Sequence, residues 1–144
     1  MEPVKLKYVK KIRGMADSVL LNLPLARINP NAVSGASVLA SLLFILTLDY
    51  PAIAFFFIIA TLLLDLLDGA IARKYGMASE EGYMADAMSD RLSEGIMFIP
   101  FFMPWFYLFA INAALTILSF AAKRHIILPL RHVFMVYYFF LAVI

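Results

Sequence analysis

The sequence has no cysteine and few charged residues: of its 144 residues, 15% are charged and 64% are apolar, and the mean hydropathy is +0.89. Without cysteine there is no thiol nucleophile, thiolate metal site or disulfide scaffold. A soluble domain is about 25% charged, and a chain this short has too little interior to hide so much apolar surface. These values exclude a soluble globular domain and a disordered chain, and a net charge of +2 does not indicate a nucleic-acid partner. We therefore predict an integral membrane protein.

Five apolar stretches are candidates for membrane spans. A helix needs ~20 mostly apolar residues to cross a bilayer, and the stretches here are continuous rather than alternating, which predicts helices. They cover residues 32–48, 51–72, 83–103, 105–122 and 130–144. We expect an all-α membrane protein in which residues 1–144 form one domain, a bundle of five transmembrane helices.

The basic residues predict the orientation of these spans. They precede the first span, follow the second and separate the fourth from the fifth, so alternate threading puts them all on one side, the cytoplasmic one. Over residues 4–28, apolar residues recur at roughly helical spacing among lysines and arginines, which predicts an amphipathic helix on the membrane surface. The alternative for this segment is an unstructured basic leader. We expect a cell-membrane protein whose active site faces the cytoplasm.

Four aspartates lie within the predicted spans. Asp65 and Asp68 are three residues apart and share one helix face, and Asp86 and Asp90 are four apart on the next helix, an expected antiparallel neighbour. An aspartate in mid-span costs ~2.5–3.5 kcal/mol on insertion scales, so this group requires cationic compensation. Carboxylates suit hard ions such as Mg²⁺, Mn²⁺ or Ca²⁺. We predict a metal site, although Asp86 and Asp90 also lie near a helix start, where acids are stabilising for structural reasons alone.

Eight residues at fixed spacing carry a family resemblance: Asp65-x2-Asp68-Gly69-x2-Ala72-Arg73-x8-Gly82-x3-Asp86-x3-Asp90. At every fixed position this pattern resembles the signature of the CDP-alcohol phosphotransferase family, also called CDP-alcohol phosphatidyltransferases. Asn29-Pro30-Asn31-Ala32-Val33-Ser34 resembles the Pro-Asn-x-x-Thr/Ser segment before the first span of such proteins. The resemblance implies six spans preceded by an amphipathic helix. Only five are found, so we expect the last helix to be missing.

The resemblance implies a transferase of phospholipid biosynthesis that displaces CMP from a CDP-linked lipid or alcohol and joins the remaining phosphoryl group to an acceptor alcohol. It implies Mg²⁺ or Mn²⁺, as two ions bound by Asp65, Asp68 and Asp86, with Asp90 as the catalytic base and a further metal contact. It also implies a homodimer in membrane lipid. The residues it assigns to the nucleotide and diphosphate are Asp68, Gly69, Ala72, Arg73 and Gly82.

Other charged residues lie near the fifth span and within the third. Lys123, Arg124 and Arg131 lie on the predicted cytoplasmic side, where they would bind the phosphate of an acceptor such as inositol phosphate or glycerol phosphate. The alternative is ordinary positive-inside anchoring. We expect Glu94 to pair with Arg91 rather than line the pocket.

Two other functions stay open at this stage. The first is a cation channel or transporter, because intramembrane acids line ion pathways. It predicts acids spread through the depth of the membrane, whereas these gather at one end beside Arg73. The second is an inactive, truncated relative that retains the motif.

Overall fold

The computed structural model describes residues 27–122 and 128–143, and all regular structure in these two segments is helical. A 3₁₀ turn, Ile99–Phe101, connects the third and fourth helices. The helices are α1 (Pro30–Leu46), α2 (Pro51–Lys74), α3 (Glu80–Phe98), α4 (Phe102–Ala122) and α5 (Leu130–Val143). The predicted all-α fold is confirmed for this part of the chain. The predicted amphipathic segment 4–28 lies outside it except for its last two residues.

The prediction of five spans is not confirmed. Within the described residues, two helical stretches are long and apolar enough to cross a membrane: α2, and the stretch Glu80–Ala122 that includes α3, the 3₁₀ turn and α4. The other two helices are apolar but shorter, with 17 residues in α1 and 14 in α5. At 1.5 Å per residue they extend over only about 26 and 21 Å, against ~30 Å for the hydrocarbon core.

Capping residues determine where α1 and α3 begin. The Asn29 side chain accepts a hydrogen bond from the Asn31 N–H at 3.0 Å, and α1 begins there. The Ser79 side chain accepts from the Gly82 N–H at 3.0 Å, which starts α3 at Glu80 rather than at the predicted residue 83. Between α2 and α3 the chain turns at Gly76, whose φ of 64° is disfavoured for residues with a side chain.

Helix α1 packs extensively against both α2 and α3, whereas α2 and α3 touch each other at only a few positions. The two aspartate-bearing helices, predicted to be antiparallel neighbours, are therefore in contact over only a short stretch, and α1 packs against both. The reason is the small buried face of α1, where Ser34, Ser37 and Ser41 let the helix axes approach. The Ser37 hydroxyl donates to the Thr61 carbonyl of α2 at 3.4 Å.

An aromatic core lies at the end of the bundle that contains the C-terminal part of α1. Phe134 of α5 is fully buried there, with ring-centroid distances of 4.9 Å to Phe98, 4.9 Å to Trp105 and 5.9 Å to Phe44. This packing fixes the rotation of α5. Because Arg131 lies one turn before Phe134 on the same helix face, the core also directs that arginine inward.

Candidate metal centre and adjoining cavities

Three of the four aspartates converge. Asp65, Asp68 and Asp86 each present a carboxylate oxygen, and these oxygens lie within 4.8 Å of one another. Asp68 is 3% exposed, and one oxygen of Asp86, Oδ1, is buried without a hydrogen-bond partner among the residues that the structure describes. Anions this close repel one another, and a buried oxygen without a donor is costly. The group therefore fits a hard divalent cation, whose preferred ligands are carboxylate oxygens.

Ser34 of α1 holds one of these carboxylates. Its hydroxyl lies 2.6 Å from Asp68 Oδ2, to which it donates, and both side chains are buried. Hydrogen bonds of this kind orient a metal-binding carboxylate. The sequence indicated Ser34 only as the last residue of the segment before the first span, so its contact with Asp68 was not predicted.

Asp90 lies outside the three-carboxylate group and is ion-paired. Arg131 Nη2 of α5 is 2.5 Å from Asp90 Oδ1 and 2.9 Å from Asp65 Oδ2, and Arg131 is only 5% exposed. One guanidinium group thus joins three helices at the site. The role predicted for Arg131, acceptor binding, did not include this pairing.

A cavity of about 580 Å³ adjoins the carboxylate group. Its lining includes all five residues predicted to bind the nucleotide and diphosphate, namely Asp68, Gly69, Ala72, Arg73 and Gly82. A Cβ atom at position 69 would lie 3.2 Å from Arg73 Nη1, so the glycine lets this guanidinium lie close over α2.

A second cavity, of about 190 Å³, is lined by Asp65, Asp86, Asp90, Arg131 and His132 among others. Asp86 lines both cavities, so the two spaces meet at the carboxylate group. The other two cations predicted to bind an acceptor phosphate, Lys123 and Arg124, lie outside the described residues.

Glu94 is not among the described residues that line the two cavities. It is fully buried and pairs with Arg91 Nη1 at 2.5 Å, as predicted. It also accepts from Asn112 Nδ2 of α4, at 3.0 Å to Oε1 and 3.2 Å to Oε2. Asn112 was missed by the sequence analysis, which took residues 105–122 only as an apolar span; a lone asparagine inside a span was the available signal.

Comparisons with known proteins bear on the family of this chain. Searches of curated proteins and of solved structures found no match. A family model described as CDP-alcohol phosphatidyltransferase matches residues 27–143, which is most of the chain. Members of this family are integral membrane transferases of substituted phosphate groups and are typically metal-dependent. The predicted resemblance is confirmed: the chain belongs to the CDP-alcohol phosphatidyltransferase family.

Proposed function

We propose that this protein transfers a phosphatidyl-type group from a CDP-linked lipid or alcohol to an acceptor alcohol and releases CMP, as a step of phospholipid biosynthesis. One observation carries the proposal: Asp65, Asp68 and Asp86 converge where two cavities of different size meet. Such a reaction needs a site for each reactant and a concentration of charge between them.

The larger cavity would take the donor. Its volume of about 580 Å³ lies in the range of small-molecule sites. Arg73 would contact the diphosphate, while Gly69, Ala72 and Gly82 leave room for the nucleotide. Mg²⁺ or Mn²⁺ bound by Asp65, Asp68 and Asp86, two ions by family resemblance, would neutralise negative charge on the diphosphate.

The smaller cavity would take the acceptor alcohol, on which Asp90 would act as the base. Its carboxylate removes the hydroxyl proton, and the acceptor oxygen forms a bond to the phosphorus that carries the lipid or alcohol. The bond from that phosphorus to the oxygen bridging the diphosphate breaks, and CMP leaves with that oxygen. Arg131 keeps Asp90 in one orientation, which is what a general base requires.

For the acceptor we propose a phosphorylated polar alcohol, inositol phosphate or glycerol phosphate, with Lys123, Arg124 and Arg131 as its phosphate contacts. Arg131 Nη1 is buried and has no hydrogen-bond partner among the described residues, so this nitrogen has a donor to offer. We further propose a homodimer in membrane lipid with the site facing the cytoplasm.

A CMP-release assay tests the function. Purified protein in detergent–lipid micelles receives Mg²⁺ or Mn²⁺ and either CDP-diacylglycerol or its ether-linked analogue. Inositol phosphate, glycerol phosphate, serine and inositol are then added one at a time. We expect CMP only when donor, metal and one acceptor are all present. CMP without an acceptor would indicate a hydrolase, and cation flux into vesicles without CMP would indicate a channel.

Replacing Gly69 by valine should impair use of the donor. The added side chain would meet Arg73 Nη1 and fill part of the larger cavity, and loss of one charged contact is worth roughly tenfold or more. We expect the KM for CDP-diacylglycerol to rise by about this factor with a smaller change in kcat. Gly35→Ala is the control, because a Cβ at position 35 meets nothing within 4 Å. An unchanged donor KM in Gly69→Val would place the donor elsewhere.

A further inference from the structure

The start of α5 is tied to α4 by a single side chain. Asn112 Oδ1 accepts from the Leu128 N–H at 2.9 Å, and Asn112 Nδ2 donates to the Leu128 carbonyl at 3.0 Å. Both backbone groups of Leu128, two residues before α5 begins, are therefore held by one amide. Pro129 follows and has no N–H to donate. Within the turn, the Leu130 N–H donates to the Leu128 carbonyl at 2.9 Å, whereas the Asn112 bonds connect the turn to α4.

The same amide is anchored on its other side. Its nitrogen also donates to the carboxylate of Glu94, which is paired with Arg91 of the same helix. Asn112 and Glu94 are both fully buried. Only a primary amide meets these demands, because it supplies one acceptor for the Leu128 N–H and two hydrogens for the Glu94 carboxylate and the Leu128 carbonyl. Leucine would leave the Leu128 N–H without its acceptor and would cut the link from Leu128 to Glu94; the Leu128 carbonyl would keep only the Leu130 N–H, and Glu94 only Arg91. Aspartate would place a second anion against Glu94.

Three residues beyond Leu128, Arg131 lies against Asp90 and Asp65. Its guanidinium is buried, and its reach is set by where the first turn of α5 sits. Phe134 fixes the rotation of α5 from the aromatic core, but it does not fix the position of the residues before the helix. Leu128 is the point before the helix at which the Asn112 side chain holds that end to α4.

We propose that Asn112 is a positioning residue: by clamping Leu128 to Glu94, it holds the Arg131 guanidinium against Asp90 and Asp65. This rests on the proposed function in so far as Asp90 is the base and Asp65 a metal ligand. Asn112 lines neither cavity, so it acts on the site through Arg131.

Mn²⁺ binding by electron paramagnetic resonance distinguishes this role from a structural one. Arg131 places a positive charge beside the carboxylates that would hold the ion, so its removal should tighten binding, whereas damage to the fold should weaken it. We expect Arg131→Gln to bind Mn²⁺ about tenfold more tightly and Asn112→Leu roughly threefold more tightly. In the Arg131→Gln background, Asn112→Leu should cause no further change.

Thr116→Val is the matched control. Thr116 lies one turn along α4, is 5% exposed and donates to the Asn112 carbonyl at 2.8 Å, so its hydroxyl is engaged within α4 and not with Leu128. This variant should leave Mn²⁺ affinity unchanged. The proposal is overturned if Asn112→Leu leaves the Mn²⁺ affinity unchanged or lowers it. It is also overturned if Asn112→Leu still raises the affinity in the Arg131→Gln background.

Amide hydrogen exchange at Leu128 gives a second measurement that needs neither metal nor turnover. Exchange should accelerate in Asn112→Leu and not in Thr116→Val, because only the first removes the acceptor of that N–H. Equal exchange in both variants overturns the clamp. If wild-type protein releases no CMP or binds no Mn²⁺, the proposed function or its metal centre fails, and the clamp is then decided by this exchange result.

Discussion

Replacing Asp90 by asparagine should lower the rate of CMP release by about 10²–10⁴-fold, the range of a general base. The two side chains have nearly the same shape, so the substitution removes the proton acceptor with little change in packing. The KM for the CDP-linked donor should stay within a factor of about two, because Asp90 lines only the smaller cavity. Initial rates at saturating and limiting donor concentrations measure both quantities.

Two comparisons make this result specific. Glu80→Gln removes a carboxylate from an exposed position at the start of the same helix and should keep full activity. Thermal unfolding should find Asp90→Asn folded, because Arg131 keeps its ion pair with Asp65. Activity near the wild-type level in Asp90→Asn would show that Asp90 is not the base.

Chelation of divalent ions should reduce CMP release to the level without enzyme, and Mg²⁺ or Mn²⁺ should restore it. The same centre should lose Mn²⁺ affinity by roughly 100-fold or more in Asp68→Asn, since outer-sphere partners alone are worth about 10–100-fold. Ser34→Ala, which removes the hydrogen bond to Asp68 and a longer one to the Pro30 carbonyl, should fall between this variant and the wild type. Titrations followed by electron paramagnetic resonance give all three affinities.

The metal-free protein provides an internal check on folding. Asp68→Asn removes one of three mutually repelling charges, so without metal it should unfold at a higher temperature than the wild type. Asp49→Asn, an exposed change outside the site between α1 and α2, should alter neither the affinity nor the unfolding temperature. Full activity in the presence of excess chelator would contradict the metal centre.

The convergence of aspartates was predictable because it depends on local spacing. Residues three and four apart share a helix face, and acids inside apolar helices are too costly to face lipid. The pair Asp65 and Asp68 on α2 and the residue Asp86 on α3 followed from that reasoning, as did the pairing of Arg91 with Glu94 within one turn.

The contacts between distant parts of the chain were not predictable. Arg131 is 41 residues from Asp90 in sequence, and its position depends on how Phe134 packs in the aromatic core. Because α5 is apolar nearly all round, its sequence does not reveal which face turns inward. Asn112 lies in a helix that is likewise apolar nearly all round. The packing of α1 against both aspartate-bearing helices depends on Ser34, Ser37 and Ser41, which share one helix face but are polar and so do not add to an apolar pattern.

The position of α1 has a consequence for metal selectivity. Helix α1 packs against both α2 and α3 and contributes no carboxylate, so its width influences the distance between the carboxylates of those two helices. Ser37 and Ser41 are small and buried, so their size helps to set how closely α1 packs against its two neighbours. Bulkier side chains at these two positions should move the carboxylates further apart. The proposed metal centre would then favour the larger Ca²⁺ over the smaller Mg²⁺, because Ca²⁺ binds its oxygen ligands at longer distances.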